Sequence, residues 1–282
     1  MHHHGLYHHL SDYGFVALYG PDILLLAIVL AVVYFKYFVP KGVKTSQKVL
    51  FILALIFMYI AEGSPLSVLG HHFSFTAHMA QMAIMYLVFP PLIILSLPVS
   101  FYKTILEKEN GFTRFFRAAT KPLIALVSFV MLFSFYHIPG IFDFVMANMP
   151  LMTLYHMVLL LASFITWWPA LCPVEEYDDM SGIKRIAYIF GSGLLLTPAC
   201  ALIMFANRVL FTTYMDAPRV FFGMSPLEDQ IAGGVVMKIM QEFVYAVILG
   251  VIFFRWVRRQ KERDEEETAR IEASILAFQN KH

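Results

Sequence analysis

Seven blocks of almost unbroken apolar residues, parted by polar gaps, run along this chain at 21–39, 49–69, 77–97, 123–138, 151–171, 186–206 and 230–256. About 20 such residues carry a helix across ~30 Å of hydrocarbon, because each adds ~1.5 Å. The pattern predicts an all-α, polytopic membrane protein of seven transmembrane helices. The fourth block is the shortest and spans only with little tilt or with local thinning of the bilayer. One transmembrane domain, residues 1–256, is expected, followed by a charged cytoplasmic tail at 257–282.

The gaps carry their own pattern. Those at 70–76 and 139–150 are short. The sixth, 207–229, holds Phe211, Tyr214, Phe221 and Phe222, and aromatic residues favour the headgroup level. That predicts a loop resting on the outer membrane surface. The third gap, 98–121, alternates Phe101, Ile105, Phe112, Phe115 and Phe116 with basic residues, as an amphipathic stretch on anionic lipid does. In the tail, Ile271, Ile275 and Phe278 recur on one helical face, facing a partner, the membrane surface or solvent.

Charge sets the orientation. Of the 21 basic residues, 18 fall in or beside the first, third and fifth gaps and the tail, while the other gaps hold Arg208 and Arg219 and the seventh block holds Lys238. The positive-inside rule places the N-terminus outside and the C-terminus in the cytoplasm, which an odd number of spans permits. The basic residues of the first block follow its apolar run, so a retained span is expected there and not a cleaved signal peptide. His2, His3, His4, His8 and His9 precede it on the outer side, and a tag would explain the first three. Net charge near +1 gives no sign of nucleic acid as a partner. Cys172 and Cys200 lack the paired spacing of a redox or metal motif and read as small core residues.

Polar side chains within apolar blocks are expensive and want a reason. Most lie toward the outer side. His71 and His72 sit in the second gap, and His78 opens the third block with Gln81, Met82 and Met85 behind it. His78, Met82 and Met85 fall on one helical face. His156 lies in the first turns of the fifth block, with Met152 and Met149 on its own face. Asp229 and Gln230 open the seventh block, and Gly233–Gly234 admits a close neighbour helix. Three helices running inward from the outside thus bring His78, His156 and Asp229 to one depth. Imidazole suits several transition metals and thioether sulfur favours Cu(I). His78, His156, Met82, His71, His72 and Asp229 are therefore the candidate metal ligands. Two histidines at one depth also suit axial ligation of haem, which stands as an alternative. The bland readings are methionine as adaptable core filler and histidine as a wetted helix end.

Glu62, Lys238 and Glu242 remain. Burying each costs ~2.5–3.5 kcal/mol on insertion scales, so Lys238 is expected to pair with Glu242 or with Glu62. A structural ion pair and a proton path are both open for them. No nucleophile or general-base constellation marks an enzyme.

The stretch Ala77-His78-Met79-Ala80-Gln81-Met82 leading to Phe89-Pro90-Pro91-Leu92, the segment Tyr155-His156 running to Trp167-Trp168-Pro169, and Asp229-Gln230-Ile231-Ala232-Gly233-Gly234 resemble the multi-spanning CtaG family of cytochrome c oxidase assembly factors. The resemblance covers most of the chain. It implies a seven-span protein of the bacterial plasma membrane, not an enzyme, with cytochrome c oxidase subunits and membrane lipid as partners. Copper delivery to a caa-type haem-copper oxidase is its implied role, and a metal-free scaffold its plainer variant. His78, Gln81, His156, Trp167, Trp168, Asp229, Gln230, Gly233 and Gly234 match the family's motif positions. One departs: Met82 stands where the family usually has a second histidine, which either favours Cu(I) over Cu(II) or zinc or marks a divergent member with a different cargo.

Overall fold

Helices make up almost all of the computed structural model, which describes residues 10–178, 180–218 and 223–279, with no strand among them. The N-terminal histidines, Arg219, Phe221 and Phe222 lie outside the described residues, as do the side chains of Ile275 and Phe278. The first span, Phe15–Lys41, includes α1 (Pro21–Val33). There follow α2 (Thr45–Glu62), α3 (Pro65–His72), α4 (Phe75–Ala83), α5 (Phe89–Ser96), α6 (Val99–Leu106) and α7 (Gly111–Ala119). The rest are α8 (Pro122–Tyr136), α9 (Pro139–Met146), α10 (Met149–Leu171), α11 (Gly182–Met204) and α12 (Pro226–Gln279).

Among the described residues six helical stretches are long and apolar enough to cross a bilayer, and a bent pair, α7 with α8, makes up to seven. The chain is a multi-pass membrane protein. The bend of 79° falls at the expected fourth block. Its straight part, α8, has 15 residues and so a length of ~22 Å, short of a full hydrocarbon core. The third span, Phe75–Ser96, is the hub: 72% of its apolar window is buried, against 11% for the first. Side chains that matter to the interior therefore cluster on α4 and its neighbours.

Proline explains the hub's joint. Pro90 has no N–H to give the carbonyl of Tyr86 four residues earlier, and α4 passes into α5 through a wider π-type turn at Ile84–Val88. The freed Tyr86 carbonyl accepts the Trp167 indole N–H at 3.0 Å and the Ser163 hydroxyl, both from α10. Replacing Trp167 with phenylalanine removes one of two donors from a buried acceptor. It is expected to lower stability by ~1 kcal/mol, read as a reduced melting temperature in detergent. Trp168 faces the other way and meets Tyr102 and Phe116 edge-on, at 5.1 Å each, tying α6 and α7 to the bundle. Phe112 and Phe115 are exposed on α7 beside Arg114.

The last helix is continuous for 54 residues, ~80 Å, so the tail extends the seventh span without a break. α12 packs along α11 and against α4. A Cβ on Gly233 would lie 2.5 Å from the Phe75 ring and one on Gly234 2.8 Å from Met204, so both contacts need glycine. Lys238 pairs with Glu242 at 2.6 Å and donates to the Thr197 hydroxyl at 2.7 Å. The alternative pairing with Glu62 does not form. Glu62 accepts from the Gln81 amide at 3.3 Å instead.

Candidate metal centre

α4 begins at Ser74, whose hydroxyl accepts the Ala77 N–H, and Asp229 closes the same end. One Asp229 oxygen accepts the Phe75 N–H at 2.6 Å; the other accepts the Ser74 hydroxyl at 2.7 Å and the Thr76 N–H at 3.2 Å. A carboxylate on the unpaired N–H groups of a helix start is favoured by charge and by hydrogen bonding alike. This corrects Asp229 as a ligand candidate: both oxygens are committed to α4, and the residue locks the start of the last helix to it. Gln230 likewise holds chain, accepting the Leu210 N–H at 2.6 Å.

Three residues into α4, His78 is fully buried. Its Nε2 lies 3.2 Å from the Tyr136 hydroxyl at the end of α8. The same hydroxyl lies 3.0 Å from Nε2 of His156 on α10, and 3.3 Å from the Met146 sulfur on α9. The two imidazole centroids are 5.8 Å apart. Four helices thus aim two imidazoles, a thioether and a phenol at one point. His78 Nδ1 is buried with no protein partner, so the ring keeps unused coordinating capacity.

His71 joins from the side. Its ring stacks on His156 at 6.4 Å, and its Nδ1 lies 3.4 Å from the Ser67 hydroxyl. Burial and the neighbouring His72 push its pKa down to about 4, against the opposing Ser67 contact. The ring is therefore neutral at any ordinary pH, as metal binding requires. His72 has its ring 6.4 Å from that of His71 and 5.5 Å from that of Tyr13. Met82 is buried and Met149 exposed, and the Met146 sulfur lies 3.3 Å from the Tyr136 hydroxyl. Among the described residues no three His, Cys, Asp or Glu side chains form a closed metal cage.

Aromatic side chains cover the cluster. Phe142 of α9 meets His78 edge-on at 5.3 Å and Tyr136 at 5.2 Å. Phe211 stacks on Phe75 at 4.5 Å, and the Tyr214 hydroxyl donates to the Gly70 carbonyl at 2.5 Å. Of the four aromatic residues of the sixth loop, Phe211 and Tyr214 are buried against the bundle, and Phe221 and Phe222 lie outside the described residues. Asp143 accounts for the burial: its two oxygens accept the backbone N–H and hydroxyl groups of both Thr212 and Thr213, pinning the loop to α9.

Sequence reasoning missed Tyr136, Met146 and Phe142. A tyrosine at a span end is the ordinary interfacial residue, and Met146 sits in a segment that reads as a short loop. Neither position carries a signal until α9 folds back over α8.

Residues 24–259, most of the chain, match the model of a protein family described as cytochrome c oxidase caa3 assembly factor (Caa3_CtaG). No curated protein and no solved structure matches the chain.

Proposed function

The chain belongs to the cytochrome c oxidase caa3 assembly factor family, and we propose that it carries Cu(I) for the oxidase at the cluster of His78, His156 and Met146. The observation that supports this reading most is the single point on which both Nε2 atoms and the Met146 sulfur converge. Two imidazoles and a thioether suit Cu(I), which accepts few ligands and soft ones. The lack of a third imidazole or carboxylate in the first ring of donors is unfavourable for zinc or Cu(II), which want fuller N/O coordination.

The Tyr136 hydroxyl holds the place of the cargo. At 3.0–3.2 Å from the two nitrogens it keeps the imidazoles paired while apolar side chains surround them. Coordination bonds are ~2 Å, so the ion enters as this hydroxyl withdraws and the two rings close on it. Release reverses the movement and restores the hydrogen bonds. Exchange of this kind needs no covalent step, in keeping with a carrier and not an enzyme. In the orientation that the positive-inside rule favours, the cluster lies toward the outer face of the membrane, and on this reading oxidase subunits receive the ion there. A haem between the histidines suits the packing less well, because the Tyr136 ring lies beside both imidazoles and the Phe142 ring beside His78.

Copper content of the full chain, purified under reducing conditions, tests this. Wild type is expected to hold stoichiometric copper and the His78→Ala/His156→Ala double variant at least ~10-fold less; Met146→Ala should weaken retention by a similar order. Equal copper in wild type and the double variant would overturn the site. Intact oxidase assembly by a copper-free double variant would leave a scaffold without cargo.

A further inference from the structure

One charged side chain of α12 lies open at the depth where a bilayer tolerates charge least. Glu242 stands midway between Pro226, where the helix starts, and Arg258 in its basic stretch, ~24 Å from each. That is the centre of the hydrocarbon, where an ionisable side chain is costly unless it faces protein. Glu242 nevertheless has 60% of its side chain exposed, against 23% for Lys238 one turn earlier. Lys238 reaches back to the Thr197 hydroxyl of α11 at 2.7 Å and meets Oε1 of Glu242 at 2.6 Å. The cation is anchored to the bundle, and the carboxylate is the exposed member of the pair.

The residues around Glu242 keep the spacing of a helix–helix seam. Val235, Ile239, Glu242, Ala246, Leu249 and Phe253 follow one another in alternating steps of four and three. That is the 3.5-residue period by which two helices wind about each other. Five of the six are exposed and Leu249 is half-buried. Ala246, beside Glu242, is small enough to let a second backbone come close. A single polar residue at the centre of such a seam fixes the register of the helices that meet there.

Charge decides what covers this face. It carries one cation and one carboxylate on adjoining turns, so it is neutral as a unit and complementary to itself. A twofold axis along the membrane normal lays α12 of one copy beside α12 of another, parallel and in register. Lys238 of each copy then stands diagonally across from Glu242 of the other, one turn apart in depth. A wholly apolar helix would give the carboxylate no new donor, and one bearing a lone charge would leave the joined face charged within lipid. We propose that the chain pairs with a second copy of itself through this face of α12, the two Lys238–Glu242 pairs forming one network. The pairing stands apart from the metal reading, because no residue of the His78 cluster takes part in it.

The full chain, labelled at its C-terminal end with a donor or an acceptor dye and reconstituted in phospholipid vesicles, tests this. Energy transfer between the two pools is expected to persist as protein is diluted in lipid, and to saturate at two copies per complex. Glu242→Leu should raise the protein density needed for half-association at least ~10-fold, because two interhelical contacts are lost. That variant also leaves Lys238 without its carboxylate, so Ala246→Phe gives a second reading with the pair intact. Bulk in the seam forces the helices apart, and a loss of ~10-fold is expected there too. Val247, 51% exposed, sits one residue further on and ~100° around the helix, so Val247→Phe should associate as wild type does. A wild-type chain that stays monomeric at the highest protein density would give the face to lipid or to another protein and overturn the proposal. So would wild-type association in both Glu242→Leu and Ala246→Phe, or equal losses in Ala246→Phe and Val247→Phe.

Discussion

Asp229→Ala is expected to remove ~3–5 kcal/mol of stability, the largest loss from any single side chain of the centre. The carboxylate accepts three hydrogen bonds at the start of α4, two of them from backbone N–H groups that have no other partner by virtue of their place in the helix. Truncation leaves these donors buried, at ~1–3 kcal/mol each, and removes a negative charge from the positive end of the helix. The Ser74 hydroxyl keeps its bond to Ala77, which moderates the sum. Asp229→Asn preserves shape and one acceptor and should cost about half as much. Thermal unfolding in detergent, followed by near-UV circular dichroism, reads both. Because His78 lies on the first turn that Asp229 caps, copper retention should fall along with stability. An Asp229→Ala protein that melts with wild type would show that the carboxylate is not what holds α4.

Gly233→Val is expected to cost ~3 kcal/mol, the upper end of what overpacking a close contact costs. An added Cβ would lie 2.5 Å from the Phe75 ring and 3.1 Å from the Phe75 carbonyl oxygen. The ring can rotate only at the expense of its stack with Phe211, and the carbonyl belongs to a helix backbone and cannot yield. α12 must therefore back away from α4, and the aromatic cover over His78 opens. Gly250 gives the control: nothing lies within 4 Å of its Cβ position, and Gly250→Ala should be neutral or stabilise by up to ~1 kcal/mol through helix propensity. Comparable losses from both substitutions, in melting temperature and in copper retention, would remove close approach as the reason for the glycine.

Not every polar residue that stands out in the apolar blocks belongs to the same device. His78 and His156 do meet, because α4 and α10 both pack on the end of α8 that carries Tyr136. Asp229 shares their depth but turns to the backbone of α4. His72, at the end of α3, has its ring 5.5 Å from that of Tyr13 and 6.4 Å from that of His71. Depth along a helix follows from counting residues; direction around it depends on which neighbour each helix meets. Trp167 is similar: the indole is conspicuous in the sequence, yet its purpose appears only beside the carbonyl that Pro90 leaves free.

The chain by itself determined its helical class, its apolar blocks, the ends at which its ionisable residues gather, and that Lys238 would seek a carboxylate, Glu242 one turn away or Glu62. These rest on local quantities: the thickness of hydrocarbon, the cost of charge within it, and the 3.6-residue turn. Only the tertiary structure decided that Tyr136 and Met146 complete the histidine pair, that the sixth loop folds inward under Asp143, and that Asp229 caps rather than coordinates. Each of these joins residues from different helices, and a contact between helices depends on their rotation and tilt, which hydrophobic pattern alone leaves free.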